Sequence, residues 1–266
     1  MSLKFGVTSL IYHKRSLDDA IRHAASLGYR YCELNCVVNY FAHYHPVELA
    51  ADPEEMRRIL RLARECGMGF SAIDCHGLAG DTPYELRAAL RQVQAGFTIA
   101  EALECPVVVT SLPPCDMGKD AVFQCVEQLL NYAETRGLIL ALEAEHRYYV
   151  GSGQSVRDVF ARLDSPALRL NFDPTHFVAN GEDSLALLKE FYPKIAHVHL
   201  KEARRDPYAP LIFQGEDGSP ATLMLKYLQE NNFDGVIAAE TLALDEPEPE
   251  AIAAMIMDGI RRVVSC

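Results

Sequence analysis

Residues 138–146 read LILALEAEH, an apolar run of strand length that ends in two acids, Glu143 and Glu145. Side chains alternate along a strand, so both acids face the same way at the C-terminal end of a segment otherwise apolar. The segments that follow repeat the arrangement. LRLNFDPTHF, at 168–177, ends its strand in Asp173 and carries His176 in the turn beyond. IAHVHLKEA, at 195–203, puts His197 and His199 on one face, and VIAAETLA, at 236–243, brings its strand to Glu240. Amphipathic stretches of helical period separate these runs, which is the pattern of parallel βαβ units.

The same alternation reaches both ends of the chain. Strands are expected at 5–9, 31–35, 70–75, 107–110, 139–143, 168–172, 195–200 and 236–240. Helices between them carry plain start and stop residues: Ser16 before LDDAIRHAASL with Gly28 after it, Asp52-Pro53-Glu54-Glu55 with Gly67, and Ser155 and Gly137 in like roles. Eight such units predict an α/β fold, a single (β/α)₈ TIM barrel over residues 1–266, with a closed parallel sheet inside a ring of helices. Segments 40–46, 111–118 and 204–220 are expected as long loops, and each follows a strand. In such a barrel the loops after the strands form the face where chemistry is done.

Composition narrows the partners. The 266 residues are 49% apolar, enough for one full core, and the net charge of −12 opposes a nucleic-acid partner, whose affinity rests on Lys and Arg meeting phosphates. A small-molecule substrate is expected instead. No run approaches the roughly 20 apolar residues of a membrane span, and MSLKFGVTSL is not a signal sequence, so no membrane partner and a cytoplasmic location are expected. The eight Cys include no CxxC and read as reduced thiols.

Four consecutive strands thus end in groups able to bind a metal. Charged groups at the mouth of an apolar barrel are costly to desolvate unless paired or bound to an ion. One divalent ion supplies a cause for their coincidence. Carboxylates with an imidazole and no thiolate suit Mn²⁺ or Mg²⁺, with Co²⁺ or Zn²⁺ tolerated.

With these residues the chain resembles the xylose isomerase-like barrels, a family of sugar isomerases, ketose 3-epimerases, hydroxypyruvate isomerases, inosose dehydratases and type IV apurinic endonucleases. The Glu of LALEAE, the D-x-x-H of FDPTH, the H-x-H of HVHLKE, the stretch FQGEDGSP and the Glu of AAET carry the resemblance along almost the whole chain. By matching position it implies Glu143, Asp173, His199 and Glu240 as metal ligands, with His176 and Arg205 as substrate contacts; Arg204 competes with Arg205. The endonucleases resemble a three-zinc site needing further His. His76 matches one, but the fourth strand ends in Thr110-Ser111 and KEARRDPYAP lacks the Asp-x-His, so the extra sites look unbuilt.

The implied activity is a metal-dependent isomerase or epimerase acting on a small carbohydrate, in which Glu143 and Glu240 remove and return a proton beside a carbonyl through an enediolate. Loss of a β-hydroxyl from the same intermediate would instead make the chain a lyase like the inosose dehydratases. A carbohydrate-binding barrel without catalysis is the third reading, and it gives no reason for two metal carboxylates. The ketose epimerases carry a Glu six residues after the first metal Glu. Tyr149 stands there, so Glu145 and His146 are the candidates to cover that ground, and Tyr148 and Tyr149 read as a wall for a ring or as loop packing. Glu33 and His76, at the ends of the second and third strands, are expected to contact substrate. His43-Tyr44-His45 reads as an exposed loop or a lid. The apolar AIAAMIMDGIRRVV permits a homo-oligomer.

Overall fold

The computed structural model describes residues 2–38, 40–204, 211–241 and 248–264. Its strands are Lys4–Thr8 (β1), Tyr31–Asn35 (β2), Gly69–Asp74 (β3), Val107–Thr110 (β4), Ile139–Glu143 (β5), Leu168–Phe172 (β6), Ile195–Leu200 (β7) and Val236–Ala239 (β8). They pair in parallel in chain order, and β1 closes on β8 with Gly6 beside Ala238, so the sheet is a closed barrel. Strand spans agree with the sequence to within one residue at each end. Glu240 lies one residue past β8 and His76 two past β3.

The helices are Leu17–Leu27 (α1), Pro46–Ala50 (α2), Pro53–Glu65 (α3), Pro83–Ala102 (α4), Gly118–Glu134 (α5), Gly153–Arg162 (α6), Pro174–Ala179 (α7), Ser184–Phe191 (α8), Pro220–Glu230 (α9) and Pro249–Val263 (α10). Ser16 and Asp52 accept the N3 amides of α1 and α3, while Gly28, Gly67 and Gly137 take positive φ after their helices. One expected cap is displaced: Ser152 caps α6, and Ser155 is the third residue of a capping box with it. A serine at N3 returns its hydroxyl to the cap amide, and this reciprocity makes the two hard to tell apart in sequence.

Two layers of packing follow from strand alternation. Outward side chains such as Val108, Leu140, Leu142, Leu170 and Val198 join the helices in one large core. Inside the barrel the small residues Ala72, Val107, Val109 and Ala141 fill the lower part. Polar residues occupy the upper part. The sheet departs from regular register at Cys32/Glu33 and at Leu170/Asn171. Such irregularities re-aim side chains, and here they flank two residues of the polar cluster described below.

Ile252, Ala253, Ile256, Met257 and Ile260 of α10 are buried against the barrel, so the apolar stripe that suggested an oligomer face is largely covered by the chain itself. Among the described residues no helix is long and apolar enough to cross a membrane. The described cysteines are all free, and burial pushes the thiol of Cys105 up to about 12, which keeps it protonated and inert.

Candidate active site

The C-terminal mouth of the barrel opens on a cavity of about 650 Å³ whose lining includes Glu143, Glu145, Glu240, His76, His176 and Lys201. That volume is within the range of small-molecule sites. Asp173, His199 and Glu33 are buried in the cluster that these lining residues contact. The arrangement grows from period-2 alternation: β5 contributes Glu143, the end of β6 Asn171 and Asp173, and β7 His197, His199 and, just beyond, Lys201.

Ligand atoms of Glu143, Asp173 and His199 all lie within 4.8 Å of one another. His199 Nδ1 is 3.2 Å from Oε2 of Glu143 and 3.6 Å from Oε2 of Glu240. Asp173 caps α7, and its Oδ1 accepts from the amide and the hydroxyl of Thr175, at 2.8 and 2.7 Å. Its other oxygen meets Lys201 Nζ at 2.8 Å. Lys201 also reaches Glu240 Oε2 at 2.6 Å. Three of the four residues singled out in the sequence, Glu143, Asp173 and His199, therefore share one cluster, and Glu240 adjoins it through His199 and through Lys201, which also pairs with Asp173.

His76 and His176 flank them. His76 pairs through Nδ1 with Asp74, and its Nε2 lies 3.2 Å from Glu143 and 3.4 Å from Glu145. His176 Nδ1 accepts from the amide of His146 at 3.1 Å, so its proton sits on Nε2, 3.4 Å from Asp173 Oδ2. Glu33, the other candidate from the early strands, behaves differently: its carboxylate engages the Nε2 edge of His199. Arg205 lies outside the described residues.

Electrostatics follow from burial and sign. Burial opposes ionisation of Glu143, but His199 and His76 outweigh it and hold the carboxyl well below the usual range. Burial likewise opposes charge on Lys201, and Asp173 and Glu240 more than offset it, raising the ammonium well above its ordinary value. Burial pushes Glu145 up.

Tyr149 is turned away from this chemistry. Its hydroxyl exchanges hydrogen bonds with the backbone amide and carbonyl of Cys115, at 3.2 Å each, so it packs the loop after β4. Tyr148 does line the cavity, and so does Glu145; the ring of His146 bonds Asn180. Tyr44 of the loop after β2 bonds Glu55.

Lys201 and Asn171 were not singled out by sequence reading. Asn171 donates to Glu143 Oε2 at 2.6 Å. The signal for both was present, since Lys201 follows His199, and Asn171 precedes Asp173, by the two residues that return a strand to the same face. Asp74, which holds His76 and accepts from Asn35, carried the same two-residue signal relative to His76.

The family model for xylose isomerase-like TIM barrels matches residues 21–262. The chain belongs to this family. An inosose dehydratase of Bacillus thuringiensis is 33% identical over 78 residues, which is 28% of this chain and 25% of that protein. The chain thus spans about a quarter of the length of that curated relative. Among solved structures of xylose isomerase-like fold, the IOLI protein with a bound zinc atom aligns at a TM-score of 0.78 and 15% identity, over 99% of this chain and 100% of that one. The 3-keto-D-glucoside 4-epimerase YcjR of E. coli aligns at 0.75 and 16%, over the full length of both chains. At these identities the structural likenesses speak for the fold.

Proposed function

We propose that this chain is a metal-dependent isomerase or epimerase of a small sugar or keto-polyol, with Glu143, Asp173, His199 and Glu240 holding one divalent ion. The observation that carries the reading is the pair of carboxylates, Glu143 and Glu240, which lie on the cavity wall and both approach Nδ1 of His199. The donor set fits an ion. Three carboxylates and an imidazole crowd a mouth to which Glu33, Asp74 and Glu145 add further carboxyl groups, and among the described residues Lys201 is the single lysine or arginine with them. Such an excess is costly without a cation. The oxygen-rich donors suit Mn²⁺ or Mg²⁺ and accept Co²⁺ or Zn²⁺.

A divalent ion there would act as a Lewis acid toward a substrate carbonyl oxygen. The ionised Glu143 takes the proton from the neighbouring carbon, the C–H electrons pass into an enediolate, and Glu240, entering the step as the acid, gives its proton from its own side; exchange with water then resets both carboxyls. Return to the opposite face of the same carbon inverts it. Return to the adjacent carbon, with the hydroxyl proton passing to the former carbonyl oxygen, moves the carbonyl. His76 and the Nε2–H of His176 orient substrate oxygens.

The inosose dehydratase relatives favour a second reading, a lyase. Proton removal is then followed by departure of the β-hydroxyl, which takes a proton from an acid of the site and leaves as water. Incubation with ketoses and inososes in D₂O separates the two. Deuterium beside the carbonyl with all oxygens retained supports the isomerase or epimerase, a new enone absorbance supports the lyase, and neither signal from metal-loaded protein would overturn both.

A further inference from the structure

His199 meets carboxylates at both of its ring nitrogens. Nδ1 faces Glu143 and Glu240, while Nε2 lies 3.1 and 3.0 Å from the two oxygens of Glu33. Glu33 is 1% exposed. A carboxylate so deep in a barrel is expensive unless something donates to it.

Its neighbours identify the donor. Asn171 must direct its amide nitrogen at Glu143, because an ionised carboxylate only accepts, and this leaves Asn171 Oδ1 facing His197 Nδ1 at 2.9 Å. His197 therefore carries its proton on Nδ1. Its Nε2 is an acceptor, filled by the hydroxyl of Ser71 at 3.2 Å. The 3.6 Å separation of His197 Nε2 from Glu33 is thus a contact between two acceptors, and His199 Nε2–H is left as the donor to Glu33. Glu33, His197 and His199 are close enough to suggest a second metal site. The hydrogen-bond directions argue against it, since an ion would have to displace both the Ser71 hydroxyl and the His199 proton.

We propose that Glu33 is a positioning residue, whose carboxylate holds the Nε2 proton of His199 and so fixes the ring in the tautomer and rotation that offer Nδ1 to the ion. This rests on His199 being a metal ligand. An imidazole that gives its lone pair at one nitrogen must carry its proton at the other, and a carboxylate there both locks the ring and makes the ligand more basic. The register shift beside Glu33 leaves Ser71 of β3 as the extra residue, because Cys32 pairs with Phe70 and Glu33 with Ala72, and it is the Ser71 hydroxyl that meets His197.

The test compares wild type with Glu33→Gln, in which the acceptor oxygen is kept and the charge removed. After stripping with a chelator, each is titrated with Co²⁺ by calorimetry and by its visible absorption. Wild type is expected to bind one ion per chain, and Glu33→Gln to bind it about 10-fold more weakly with an altered absorption band. Unchanged affinity and band in the variant overturn the positioning role alone. Two ions in wild type, one lost in the variant, overturn it by making Glu33 a ligand. Wild type that binds no ion overturns the metal reading together with it. Should the variant not fold, ¹⁵N spectra of Zn²⁺-loaded wild type decide: a proton on Nε2 of His199 with Nδ1 ligated is expected, and the reverse tautomer overturns the proposal.

Discussion

Lys201 places its Nζ 2.6 Å from Oε2 of Glu240, and the same ammonium reaches Oδ2 of Asp173 at 2.8 Å. One buried cation therefore ties together two carboxylates assigned to the ion. In Lys201→Met these carboxylates lose their partner. Breaking a buried ion pair from one side costs about 3–5 kcal/mol, so the metal-free variant should melt well below the metal-free wild type. Added Mn²⁺ should stabilise the variant more than wild type, because it replaces the missing charge. Equal stabilisation of the two by Mn²⁺ in thermal melts would count against the shared site.

Asp173→Asn tests the ion itself. Asparagine keeps the cap on α7, since its side-chain oxygen accepts from the Thr175 amide as the aspartate does, so the fold should survive. Elemental analysis is expected to find about one divalent ion per wild-type chain and little in the variant. A metal-free wild type that still turns over substrate would end the central claim.

Glu143→Gln and Glu240→Gln each remove an acid–base group without changing its shape. Positioned proton transfer contributes about 10²- to 10⁴-fold, and losses of that order in substrate deuterium exchange are expected for each. A variant that exchanges at the wild-type rate would remove its residue from the pair.

A surface cluster sets a pH dependence of stability. Hydrogen bonds from Arg58 and Tyr44 hold the carboxyl of Glu55 down to about 2, from an ordinary value of 4.5. The folded value lies below the unfolded one, so this stabilisation is fully present above about 4.5 and is lost as pH falls toward 2. The urea midpoint should drop between pH 6 and pH 3, and less steeply in Glu55→Gln. Parallel curves for the two proteins would show that Glu55 contributes nothing.

Gly96 in α4 marks a close approach of helix and barrel. A Cβ there would sit 2.7 Å from Sγ of buried Cys75 and 3.3 Å from Val108. Gly96→Ala should cost about 1–3 kcal/mol through overpacking, read as a lower urea midpoint. A gain in stability, as the better helix propensity of alanine alone would give, would contradict that packing.

The sequence by itself determined the strands, their faces and the positions of Glu143, Asp173, His199 and Glu240 at the barrel mouth, because alternation along a strand is a local property of the chain. Applied to Lys201 and Asn171, the same rule would have placed them in the cluster. Only the tertiary structure decided which partner each group meets. Glu33 engages Nε2 of His199 across 166 positions, a contact that depends on closing β1 on β8 to bring β2 opposite β7. Tyr149 turns to Cys115, and Glu145 comes beside His76, because loop paths set those directions. Periodicity reports which way a side chain faces; what stands opposite depends on how the sheet closes.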